Sequence, residues 1–207
     1  MLFRAGAPRK AARIWAGAMR FCTDRRGIAA IEFAFIAPIL LVMYFATMEV
    51  SQAIEASKKV SRVGAMVADL VTQQDSITKE QLDAIMDISQ TTLQPYNRSR
   101  PTITITAIEI SNDSALKATV VWSRKLSNGV YSAGAAKNTT TTVPSAMKAA
   151  GAFLIRVESG LEYKPMITWA ASGKETLGLV SSFDNISMGE TYYPHNRMSA
   201  KILCGNC

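Results

Sequence analysis

Histidine occurs once in this 207-residue chain, and cysteine only three times. The one imidazole, His195, follows Pro194 in a polar tail, with no Ser, Cys or carboxylate at a recognisable spacing. It reads as a solvent-exposed residue. A His/Asp metal cluster, a glycine-rich phosphate loop and a nucleophile elbow are all missing. Triads assemble in space, so these gaps do not by themselves exclude catalysis, but nothing in the sequence favours it. The expectation is a protein that is not an enzyme, with no metal and no cofactor.

Acidic residues are scarce where basic ones are dense. Arg4, Arg9, Lys10, Arg13, Arg20, Arg25 and Arg26 stand against Asp24 alone. This leader carries nearly all of the formal net charge of +7, and the rest of the chain is close to neutral. No Arg/Lys cluster interleaved with aromatics follows it. The basicity is therefore a topology signal rather than a nucleic-acid footprint, and no nucleic-acid partner is expected.

What the sequence does have is a long apolar run. Residues 24–48 read DRRGIAAIEFAFIAPILLVMYFATM, and from Ile28 to Met48 the only charged side chain is Glu32. About 20 residues at ~1.5 Å rise span a hydrocarbon core of ~30 Å. With the basic flank held on the cytoplasmic side, the N-terminus is expected inside and the C-terminal body outside. A cleaved secretory signal would have a shorter centre and a small-x-small site, which is not found at 44–49. A plain signal anchor accounts for the apolarity and the flank but not for Glu32. A carboxylate in a membrane helix costs roughly 2.5–3.5 kcal/mol at mid-bilayer, less near the interface, and marks a functional residue by default.

A cut after Gly27 would supply the missing partner. Ile28 would become a free ammonium, with Glu32 one helical turn further on. In a bundle, the amine of one subunit facing the carboxylate of the next would set their register, as buried polar groups do in coiled coils. Arg26-Gly27, four residues, then Glu32-Phe33 resembles the processing site of type IV prepilins. The longer string through Ala37-Pro38 resembles the TadE/TadG-like pseudopilins of the tight-adherence (Flp, type IVb) pilus system. The resemblance implies a prepilin peptidase as processing enzyme and inner-membrane lipid as surroundings. It also implies pilin and pseudopilin subunits as helix-packing partners, in the bacterial inner membrane with a periplasmic C-terminal domain. From the residues alone, the alternative is an uncleaved anchor presenting a periplasmic binding or sensor module.

Apolar or small residues recur at Met43, Ala46, Val50, Ala53/Ile54, Ser57, Val60, Gly64, Val67 and Val71, so the helix should continue beyond the membrane. From 28 to about 70 it would measure roughly 65 Å. Pro38 predicts a mild kink. Residues 72–75 form a polar break, and Thr78 with Gln81 makes a capping box for a second helix with Leu82, Ile85/Met86, Ser89 and Leu93 on one face, ended by Pro95. Residues 102–110 alternate as a half-buried strand, 112–114 turn, and 116–124 return, with Trp122 in the core. Residues 127–144 read as a polar loop and 146–150 as a short helical turn. Residues 152–164 read as a third strand with Gly160 a candidate bulge. A connection with an amphipathic turn at Trp169 leads to a fourth strand at 186–193.

The expected fold is α+β: a long N-terminal transmembrane helix of pilin type continuing into a small periplasmic domain, with a second helix and a largely antiparallel sheet. Its expected divisions are a leader at 1–27, a membrane helix at 28–48, its amphipathic continuation at 49–71 and the domain at 72–207. Cys22 falls in the leader. Cys204 and Cys207 form C-x-x-C in what would be an oxidising periplasm, and a small disulfide loop is the first choice for them. A redox motif of this spacing normally sits at a helix N-terminus, a setting the tail does not offer in sequence, and two cysteines are half a zinc site. Asn-x-Ser/Thr sites at Asn97, Asn112, Asn138 and Asn185 read as chance.

Overall fold

The computed structural model describes residues 27–94, 99–165 and 186–207. The expectations for the leader with Cys22, for the Pro95 stop, for Asn97 and Asn185 and for the turn at Trp169 lie outside these residues. The chain divides into two compact units between Met48 and Glu49.

Helix α1 runs from Ile28 to Thr72 without interruption and contains Pro38. Proline removes one N–H and crowds the preceding turn, yet one such loss inside 45 residues does not end the element. A parallel pair follows from β1 (Ser76–Ile77) and the distant β7 (Leu203–Cys204). Helix α2 (Lys79–Thr92) opens on the expected capping box: Thr78 Oγ accepts from Gln81 N, and the Gln81 side chain accepts from Thr78 N at 2.8 Å. Leu82, Met86, Ser89 and Leu93 form its buried stripe.

The main sheet holds β2 (Thr102–Ile110), β3 (Ala118–Ser127), β4 (Val130–Ala133), β5 (Phe153–Tyr163) and β6 (Ile186–Tyr192). Its order is β4-β3-β2-β5-β6, antiparallel throughout. The architecture is α+β, as expected.

The main core lies between one sheet face and the helices. Val60, Val63 and Val67 of α1 and Leu82 and Met86 of α2 pack with Ile103, Ile105, Trp122, Ile155 and Val157. A smaller cluster of Ile108, Ile110, Ala118, Val143 and Leu154 is separate from it. A register shift at Ala107/Ile108 explains how β3 serves both: Trp122 lies opposite Ala107, but Val120 lies opposite Ile108. Directly opposed residues share a face. Val121 is therefore the extra residue of a bulge, and it turns the even positions of β3 from one face to the other.

Four expectations need correction. The bulge expected at Gly160 is absent, because the register with β6 runs unbroken through Gly160 and that with β2 is unbroken up to it. Residues 127–144 are not all loop: Asn128 (φ 53°) and Gly129 (φ 79°) turn the chain back into β4. Positive φ at both central residues is what a tight type I′ hairpin needs, and Asn-Gly is its preferred dipeptide. Later in that stretch Val143 is buried. Third, the buried stripe of α1 keeps the expected Val60, Gly64, Val67 and Val71 but departs from the expected one before them and is wider. Val50 and Ile54 are more than half exposed and Ser57 is exposed, whereas Ala56, Val63 and Ala68 are buried. Small and β-branched side chains let the helix backbone approach the sheet closely, and that contact selects the face. The fourth correction concerns the cysteines and follows with the site.

Candidate functional site

Residues 28–48 of α1 form an apolar surface. Ile31, Phe33, Phe35, Ile39, Leu40, Met43 and Tyr44 are each about three-fifths exposed or more. Among the described residues this is the one helix long and apolar enough to cross a membrane, by length and composition. Glu32 is exposed in its second turn, one turn beyond Ile28. It is the single carboxylate of that surface.

Gly27 directly precedes α1, and among the described residues no atom lies within 4 Å of where its β-carbon would sit. Its φ is also outside the left-handed region. A larger residue would meet neither a clash nor backbone strain there. The described residues give no steric or conformational reason for glycine at 27.

Gly64 on the same helix is the opposite case. A β-carbon there would lie 2.6 Å from Ser159 Oγ and 2.6 Å from Tyr192 Cε2. Both neighbours are held in place: the Tyr192 hydroxyl donates to the Ser61 carbonyl at 3.0 Å, and Ser159 Oγ donates to the Val60 carbonyl at 3.3 Å. At the start of this unit the Tyr163 hydroxyl donates to Glu49 Oε1 at 2.6 Å. Sequence reading missed these contacts because each joins residues about a hundred positions apart.

A second set of polar contacts surrounds α2. Arg124 donates to Asp83 through Nε and Nη2, both at 2.7 Å. Asp83 holds the guanidinium above its ordinary range, burial opposing it. Tyr131 on β4 donates to Asp87 at 2.5 Å. The loop read from sequence thus contributes a side chain to the helix.

Cys204 and Cys207 are joined by a disulfide, with Cα atoms 5.6 Å apart. Here lies the fourth correction: the tail does meet a helix N-terminus, that of α2, brought to it through space. Asn206, inside the four-residue ring, accepts from Lys79 N at 2.7 Å and donates to both Glu80 carboxylate oxygens at 3.2 and 3.0 Å. Gly205 N donates to the Ile77 carbonyl at 3.1 Å. These bonds lower the Glu80 pKa, chiefly through Asn206, then through its own backbone N–H and Thr78. His195 is exposed, and among the described residues no group of three His, Cys, Asp or Glu side chains could hold a metal ion.

An apolar helix of membrane-spanning length, with a sheet packed on its C-terminal turns, defines an α+β protein with a transmembrane-like helix. Residues 27–69 match the family model described as TadE-like protein, the family that the run from Asp24 to Pro38 resembles. No curated protein and no solved structure matches the chain.

Proposed function

We propose that the chain is a pseudopilin-like subunit for assembly of Flp/type IVb tight-adherence pili. In this reading residues 1–27 are a cytoplasmic leader and 28–48 the membrane helix. Residues 49–71 continue that helix, and 72–207 form the periplasmic domain. A prepilin peptidase cuts after Gly27, Ile28 carries the new amine, and Glu32 pairs with the amine of a neighbouring subunit. Residues 33–48 hold the subunit in the inner membrane, and packing with pilin and pseudopilin helices is its task.

The observation that carries the reading is the double position of Gly27. It opens the stretch that matches the TadE-like family, yet among the described residues nothing gives it a role in packing or backbone geometry. A glycine at this position, separated by four residues from Glu32-Phe33, fits a site that a peptidase reads. Glu32 adds support, since a carboxylate on an apolar helix surface is costly unless it meets a cation at the same depth.

The test is intact mass with N-terminal sequencing of the protein from its native membrane. A chain beginning at Ile28, and no longer doing so when the prepilin peptidase is deleted, is the expected result. A chain retaining residues 1–27 would favour the uncleaved anchor with a periplasmic binding or sensor domain.

A further inference from the structure

Two independent observations meet at the C-terminal tail. The ring closed by Cys204 and Cys207 is at the surface: Cys207 is exposed and Cys204 half-buried. The residue it encloses, Asn206, bonds to the first turn of α2 from more than 120 positions away in sequence. The tail just before the ring is anchored differently. Ile202 is fully buried, and its carbonyl accepts the Trp122 indole N–H at 2.8 Å. Arg197 N donates to the Thr72 carbonyl at 3.2 Å. Docking of the tail thus has anchors outside the ring, whereas Asn206 lies within it.

The asymmetry matters because the first N–H groups of a helix have no intrahelical acceptor. Thr78 satisfies Gln81 N. The Lys79 N–H is satisfied by Asn206. Besides its own side-chain bonds to Lys79 and Glu80, Asn206 is held by the ring and by the neighbouring bond from Gly205 N to the Ile77 carbonyl.

We infer that the Cys204–Cys207 bond is a reversible thiol–disulfide exchange site whose state sets the outer cap of α2. Closed, it holds Asn206 across Lys79 and Glu80; open, residues 205–207 leave the helix while Ile202 stays buried. The reductant is a dithiol. One of its thiolates attacks the exposed Cys207 sulfur, breaking the S–S bond and releasing Cys204 as a thiolate that takes a proton from water. The second thiol of the reductant then attacks the mixed disulfide and releases Cys207. The protein gains two electrons and two protons, and the dithiol becomes its own disulfide. The bond encloses four residues, so it constrains little of the unfolded chain; its effect is local placement. The inference holds whether or not the chain is cut after Gly27.

The experiment is amide hydrogen exchange on the full-length protein in detergent micelles, oxidised and treated with dithiothreitol, with free thiols counted in each sample. Dithiothreitol, or Cys207→Ser, is expected to speed exchange of the Lys79 amide at least tenfold. The Trp122 indole N–H keeps its protection. In Asn206→Ala the Lys79 amide is already fast when oxidised, and dithiothreitol adds nothing. Four outcomes overturn the inference: a ring that dithiothreitol cannot open in the folded protein; a Lys79 amide unchanged with thiols at 204 and 207 free; a slow Lys79 amide in Asn206→Ala; or loss of Trp122 protection on reduction, which would make the bond a staple of the core.

Discussion

A β-carbon at position 64 would be pressed against a tyrosine ring and a serine hydroxyl that are both hydrogen-bonded to the helix they approach. Overpacking of this kind costs about 1–3 kcal/mol, while replacing glycine in a helix recovers less than about 1 kcal/mol. Gly64→Val is therefore expected to destabilise the domain by roughly 1–2 kcal/mol, read as a lower urea midpoint, without altering its membrane partition. An unchanged midpoint would mean that β5 and β6 yield freely to the helix. Glu80 gives a pH dependence of defined sign. Its folded pKa lies below the ordinary 4.5, so the interaction is fully present above that value and is lost as pH falls through the lower, folded one. The groups around it are Asn206, Thr78 and Lys79, with Arg124 further away. In Asn206→Ala the carboxyl midpoint, followed by NMR, is expected to move up toward 4.5; a fixed midpoint would make the backbone bond the controlling one.

Along helix α1 one element meets two environments. Its first half exposes apolar side chains of every shape, and its second half buries alanine, valine and glycine against the sheet. If Glu32 is a register charge, Glu32→Ala is expected to leave insertion intact and to reduce assembly, read as cross-linking between subunits and as piliation. Normal piliation in that variant would count against the role. Elements fixed by neighbouring residues were legible in sequence: Thr78 with Gln81 caps α2, and the alternation of 102–110 is β2. Elements fixed by distant residues were not. β7 is two residues long and exists through its pairing with β1. β4 lies in a polar stretch, although Asn128-Gly129 was a readable hairpin signal. Gly27, Ile28 and Glu32 were legible as a motif because their spacing is carried by the chain itself. Asn206 became visible only when folding set it beside Lys79.

At the scale of the molecule, the division between Met48 and Glu49 separates an apolar surface from a packed core. A chain starting at Glu49 retains every residue of both apolar clusters. Residues 49–207 are accordingly expected to fold and remain monomeric in buffer without detergent, as judged by cooperative urea unfolding and size-exclusion chromatography. Aggregation of that fragment would show that the domain depends on the apolar helix. The parallel pairing of Ser76 with Leu203, together with the burial of Ile202, has a consequence in time. The face of α1 at Val60, Val63 and Val67 is made early in synthesis, but its covering is complete only after residue 202 has emerged. About 140 residues separate the two, which at about 5–20 residues per second is roughly seven to thirty seconds of translation. Throughout that interval the nascent chain carries an uncovered stripe of valines beside an apolar helix, a period in which a holding chaperone would find something to bind.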